Sequence, residues 1–149
     1  MQHSIKPLRW RDIGAVYRLE QDIFPKDAYP YVDLAFLYLM PQVTNFKAVD
    51  AHGTLLGFIA VAEAWLPGRP AWVITLGVQK NAQRQGIASH LLDAGEQVLR
   101  ARRLRLTVRA GNQAAINLYE KAGYALVYSH QRYYRDGEDG LVMEKTINP

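Results

Sequence analysis

Ala71-Trp72-Val73-Ile74-Thr75-Leu76-Gly77-Val78 leads, four residues later, into Gln83-Arg84-Gln85-Gly86-Ile87-Ala88-Ser89. The first stretch is rich in β-branched and large apolar side chains and reads as a strand. The second opens a helix predicted over 86–103, with Ile87, Leu91, Val98 and Leu99 on its inner face. A strand that turns into a helix through glycine aims unpaired amides and the positive end of a helix dipole at the turn. Such a turn suits a pyrophosphate group. Gly86 lets the backbone approach an anion, Ala88 keeps the next turn small, and Lys80 and Arg84 add positive charge. The same residues also suit a helix start packed closely on a strand.

A second pattern follows in Asn112-Gln113-Ala114-Ala115-Ile116-Asn117-Leu118-Tyr119-Glu120-Lys121-Ala122-Gly123-Tyr124. Asn112 stands where an N-cap is wanted, Ala115 and Leu118 share a face, and Gly123 falls where the helix ends in left-handed geometry. Outward from these two motifs, strands are predicted at 5–8, 46–49, 55–65, 71–78, 104–109, 125–134 and 141–145, and helices at 12–24, 32–40, 86–103 and 112–122. Asp50-Ala51-His52-Gly53 is a hairpin turn. Phe24-Pro25-Lys26-Asp27-Ala28-Tyr29-Pro30-Tyr31 is a loop by its two prolines. The expected architecture is mixed α/β (α+β): one domain over 1–149, about seven mostly antiparallel strands and about four helices. The crossover through the long helix forces at least one parallel pair.

The 149 residues suit one core, and an apolar fraction of 49% with 21% charged residues is ordinary for a globular chain. Cysteine is absent, which removes disulfides and thiolate chemistry and fits a reducing compartment, so a cytoplasmic location is expected. The longest apolar runs, such as 58–66 with Glu63 inside it, are of strand length, so no membrane association is expected. A net charge of +4 is modest, and acidic residues are interspersed with basic ones, which argues against nucleic acid as a partner. Arg100, Arg102, Arg103 and Arg105 read as the cationic end of the long helix or as an anion site. His3, His52, His90 and His130 show no metal-binding spacing, and no metal is expected.

The two motifs together resemble the GCN5-related N-acetyltransferase superfamily, whose signatures are an Arg/Gln-x-x-Gly-x-Gly/Ala loop and an Asn-x-x-Ala-x-x-Leu-Tyr helix. The likeness spans residues 5–143 and is strongest from Ile74 onward. The tail from Tyr133 to Met143, with Tyr133-Tyr134 and Asp136-Gly137-Glu138-Asp139, is similar to protein N-terminal acetyltransferases, including those acting on ribosomal-protein alanine. The resemblance implies acetyl-CoA as cosubstrate, held by Leu76, Val78, Gln83, Arg84, Gln85, Gly86, Ile87, Ala88, Ser89, Asn112 and Tyr119. It implies that Tyr119 protonates the leaving thiolate, and that Tyr29, Tyr133 and Tyr134 flank the acceptor.

Relatives often place Glu or His on the strand before the asparagine helix, where this chain has Thr107, and some place Tyr or Glu on the preceding strand, where it has Trp72. Asp27 and Glu63 remain as candidate bases. A lysine amine near pKa ~10.4 is only roughly 0.1% neutral at pH 7.4, against tens of per cent for an α-amine near ~7.8, a gap of about 3.5 kcal/mol. Without an evident base the site favours the less basic amine, so a peptide or protein N-terminus is the expected acceptor. A small amine (polyamine, amino acid or antibiotic) and a non-catalytic acetyl-CoA-binding role are the alternatives. A monomer or a homodimer, the latter by exchange of the last strands, is compatible with the pattern.

Overall fold

The computed structural model describes residues 2–149. The elements run β1 (Ser4–Pro7), α1 (Ile13–Ile23), α2 (Tyr31–Leu39), β2 (Val43–Val49), β3 (Leu55–Ala62), β4 (Ala71–Val78), α3 (Ile87–Val98), β5 (Arg103–Arg109), α4 (Gln113–Lys121), β6 (Ala125–His130) and β7 (Gly140–Thr146). The seven strands form one sheet in the order β1-β2-β3-β4-β5-β7-β6. The pairs β1–β2, β2–β3, β5–β7 and β6–β7 are antiparallel, and β4–β5 is parallel, as the crossover requires. That parallel ladder has two residue pairs, Ala71 with Leu104 and Trp72 with Arg105.

Two compact units make up the chain. One takes the residues up to Ala62 with Ile74–Leu99, the other Glu63–Val73 with Arg100–Pro149. In the first, Val16, Leu19 and Phe58 form a core on which Leu8, Ile23, Phe24 and Leu55 pack. Ile87, Leu91 and Leu92 of α3 are fully buried. Gly95 lets that helix lie on β3, since a Cβ there would meet Val61 Cγ1 at 2.9 Å. Burying each such aliphatic side chain contributes about 1.5–3 kcal/mol. In the second unit β5 alternates, with Leu104, Leu106 and Val108 buried alongside Val142 and Met143 of β7.

Four expectations need correction. The long helix stops at Val98 rather than at 103, because Leu99 leaves helical geometry (φ −89°, ψ 142°) and buries its own side chain. Val98, expected on the inner face, closes the last turn and is 45% exposed. The arginine cluster does not end a helix. Arg103 and Arg105 lie on β5 and share Glu144 at 3.2 and 2.6 Å, and Arg103 also donates to the Gly68 carbonyl. Strand β6 ends at His130, four residues early, because residues 131–139 form turns, with the Tyr134 amide donating to the Glu138 carbonyl and the Gly137 amide to the Tyr134 carbonyl.

Candidate active site

In the first unit the end of β4 is set by close packing. A Cβ on Gly77 would come within 3.0 Å of Phe58 Cζ and 3.1 Å of Ile23 Cδ1, so glycine brings this strand against α1 and β3. After Val78 the Gln79 amide donates to the Leu56 carbonyl at 2.7 Å, and the Gln83 side-chain amide turns back onto the Val78 carbonyl at 3.1 Å. Arg84 (φ 65°) and Gly86 (φ 81°) both take left-handed geometry, which curls the loop into a concave run of amides. Gly86 is the N-cap of α3 and no side chain caps the helix, so the amides of Ile87, Ala88 and Ser89 stand at an uncapped helix start. Gln83, Arg84 and Gln85 are exposed, and Leu76 is half-buried on the approaching strand. The left-handed Arg84 and Gly86, the uncapped start of α3 and the exposed Arg84 side chain all lie within one unit. Beside it His90 lies 2.7 Å from His3, ring nitrogen to ring nitrogen.

The loop after α1 belongs to the same unit. The Asp27 and Ala28 amides donate to the Phe24 carbonyl, which folds the loop into a turn, and Asp27 itself is exposed. The Tyr29 amide reaches back to Glu20 Oε1 at 2.7 Å. Glu20 is only 1% exposed, and its other oxygen accepts from Thr75 Oγ1 at 3.5 Å. Burial raises its pKa, opposed by these two hydrogen bonds. In the sequence Glu20 falls in the same helical period as Ile13, Val16, Leu19 and Ile23, on the inward face of α1. The signal available was that a carboxylate occupied a core position of an amphipathic helix.

In the second unit Asn112 caps α4, its Oδ1 accepting the Ala115 amide at 3.2 Å. That cap starts the helix so that Tyr119 falls in its last turn, edge-on to Tyr124 with ring centroids 6.1 Å apart. Burial pushes the Tyr119 phenol up to about 12. Gly123 (φ 100°) ends the helix as its position predicts.

The hairpin bearing Tyr133 and Tyr134 is tied down rather than loose. Gly137 (φ 90°) makes its turn, Arg109 stacks on the Tyr134 ring at 4.1 Å, and Tyr133 meets Tyr134 edge-on at 4.9 Å. Arg109 also pairs with Asp136 at 3.0 Å and Glu138 at 2.8 Å. Tyr133 remains 49% exposed, while Tyr134 is half-buried.

Glu63 has a different setting. Its two carboxylate oxygens accept the Arg100 amide at 2.7 Å and the Ala101 amide at 3.0 Å, so it clamps the turn after α3. The expected residues thus fall into two groups. Tyr29, Asp27, Leu76, Val78 and the 83–89 loop are in one unit, and Glu63, Asn112, Tyr119, Tyr133 and Tyr134 are in the other. Trp65 is 79% exposed on a bend between β3 and β4. Among the described residues no cluster of three His, Cys, Asp or Glu side chains is placed to hold a metal ion, and no helix is long and apolar enough to cross a membrane.

Residues 13–124 match the model of the Acetyltransferase (GNAT) family. An N-alpha-acetyltransferase of Sulfurisphaera tokodaii is 28% identical over 155 residues, covering 95% of this chain and 92% of that protein. The catalytic subunit NAA10 of the N-terminal acetyltransferase A complex of Arabidopsis thaliana is 34% identical over 113 residues, covering 72% of this chain and 58% of the plant protein. Among solved structures, the ribosomal-protein-S18-alanine N-acetyltransferase of Escherichia coli superposes with a TM-score of 0.84 at 27% identity, covering 99% of this chain and 96% of that one. Motifs, sheet order and relatives agree, and the chain belongs to the GNAT acetyltransferase family as an N-acetyltransferase.

Proposed function

We propose that this enzyme moves the acetyl group of acetyl-CoA directly onto the α-amine of a peptide or protein N-terminus, with residues 1–149 working as a single acetyltransferase domain. The observation that carries this reading is likeness over 95% of the chain to an N-alpha-acetyltransferase. The exposed Tyr133 on a hairpin anchored by Arg109 supports it, as a fixed aromatic surface beside which an extended peptide can lie.

In this proposal the curled 83–89 loop and the start of α3 take the pyrophosphate, while Leu76, Val78, Asn112 and Tyr119 serve the rest of the donor. The neutral amine attacks the thioester carbonyl, the C–S bond breaks, and Tyr119 gives its proton to the departing sulfur. A phenol pushed up to about 12 stays protonated across the physiological range, so its donor form is always populated. Dry surroundings that raise the phenol raise the proton affinity of a thiolate formed beside it as well. Of the two carboxylates read as candidate bases, Asp27 is exposed and takes the amine proton in this scheme, while Glu63 is engaged by three amides. Tyr29, Tyr133 and Tyr134 flank the acceptor. A cytoplasmic location and a monomeric or homodimeric state belong to the same proposal.

The test is thiol release from acetyl-CoA with short peptides carrying free α-amines, lysine-containing peptides with blocked N-termini, and polyamines. Release with free N-termini alone is expected. Faster turnover of polyamines or of lysine side chains would replace the proposed acceptor.

A further inference from the structure

Glu20 is the charged side chain with the least exposure in the molecule, 1%, and its setting is unusual among the described residues. It leaves the last turns of α1 and joins two other segments: the acceptor loop through the Tyr29 amide at 2.7 Å, and β4 through the Thr75 hydroxyl at 3.5 Å. Among the described residues no lysine, arginine or histidine pairs with it. Its two partners are neutral donors, which is a poor return for removing a carboxylate from water. Burial raises its pKa, the Tyr29 amide and Thr75 hydroxyl opposing. A carboxyl raised in the folded state weakens the fold as pH climbs through its pKa, so stability at neutral pH does not account for a glutamate here. A buried polar group that the core would be better without marks a functional demand.

The demand is visible in what the carboxylate joins. Tyr29 stands on the loop assigned to the acceptor, and Thr75 immediately precedes Leu76 on the strand assigned to the donor. Within the loop the Asp27 and Ala28 amides donate to the Phe24 carbonyl, which shapes the turn. We infer that Glu20 is a positioning residue for acetyl transfer: its buried carboxylate fastens the Tyr29 loop to β4, so that the acceptor amine is presented in register with the donor strand. This rests on the proposed acceptor role of the Tyr29 loop.

The experiment compares wild type, Glu20→Ala and Glu20→Gln by steady-state kinetics on a free-N-terminus peptide and by hydrogen exchange across residues 24–31. For Glu20→Ala the acceptor kcat/KM is expected to fall by roughly tenfold or more while the acetyl-CoA KM stays within about twofold. Faster exchange at the Tyr29 amide is expected with it. Glu20→Gln, which keeps an oxygen for that amide, is expected to recover most of the activity and to serve as the reading should the alanine variant fail to fold. Unchanged exchange at Tyr29, or acceptor and donor constants that shift together, would overturn the inference, as would a glutamine variant no better than alanine. If wild type acetylates no peptide N-terminus, the acceptor reading falls by itself, and the exchange measurement still decides whether Glu20 holds the loop.

Discussion

Arg109 and Glu138 meet at 2.8 Å, and the second oxygen of Glu138 accepts the Gly111 amide at 2.7 Å. One carboxylate therefore fastens the Tyr133–Tyr134 hairpin both to the end of β5 and to the turn leading into α4. The Arg109 hydrogen bond, then the Gly111 amide, hold its pKa below the ordinary 4.5. A carboxylate lowered in the folded state contributes stability above its unfolded pKa and loses it as pH falls through the folded one. The hairpin is thus expected to be fully anchored at neutral pH and to loosen only on the acid side of 4.5. Hydrogen exchange at Gly111 and tyrosine fluorescence across an acid titration check this, and Glu138→Gln is expected to show the loosened signal already at pH 7.

Replacing Tyr119 by phenylalanine removes a phenol and leaves the ring packed against Tyr124. If the hydroxyl protonates the leaving thiolate, kcat falls by about 10²-fold with little change in the acetyl-CoA KM. Because burial pushes the phenol up to about 12, its ionisation gives wild type no loss of activity between neutral pH and 10. A kcat–pH profile with an alkaline limb well below that, absent from Tyr119→Phe, would show a differently placed phenol.

Local chemistry made much of this legible. The Asn112 cap, the left-handed Gly86 and Gly123 and the Gly53 turn each sit where residue type demands, and both motifs landed on the elements expected of them. Longer-range choices were less visible. The end of α3 depends on Glu63 taking the Arg100 and Ala101 amides from a turn 37 residues away, which no helical period reveals. The arginine cluster looked like a helix end because Glu144, its strand partner, lies 39 residues beyond Arg105. Glu20 is hidden for the opposite reason: its spacing fits the apolar period of α1, with Val16 and Leu19 buried beside it, so periodicity alone does not set it apart.

Gly86 offers a separable test of the phosphate cradle. Its φ of 81° suits glycine, while the nearest atom to an added Cβ is His90 Cε1 at 3.9 Å, so alanine there meets strain and no clash. The expected loss of stability for Gly86→Ala is about 1–2 kcal/mol. The relaxed loop would also turn its amides away from the pyrophosphate. Calorimetric titration should show weakened acetyl-CoA binding, with the acceptor KM unchanged at saturating donor. Unaltered binding would move the phosphate site elsewhere.

Glu63 distinguishes a clamp from a base. Each carboxylate–amide hydrogen bond contributes about 1.5–3 kcal/mol, and truncation also strands the Ala64, Arg100 and Ala101 amides. Glu63→Ala is therefore expected to lower the melting temperature clearly, and Glu63→Gln, which keeps one acceptor oxygen, to lower it less. Neither change should reshape the dependence of kcat/KM on pH, since the carboxylate is committed to the Ala64, Arg100 and Ala101 amides. Asp27→Asn is expected to lower kcat/KM. A pH profile that loses its acid limb in Glu63→Gln alone would exchange the two roles and return the proton to the clamp.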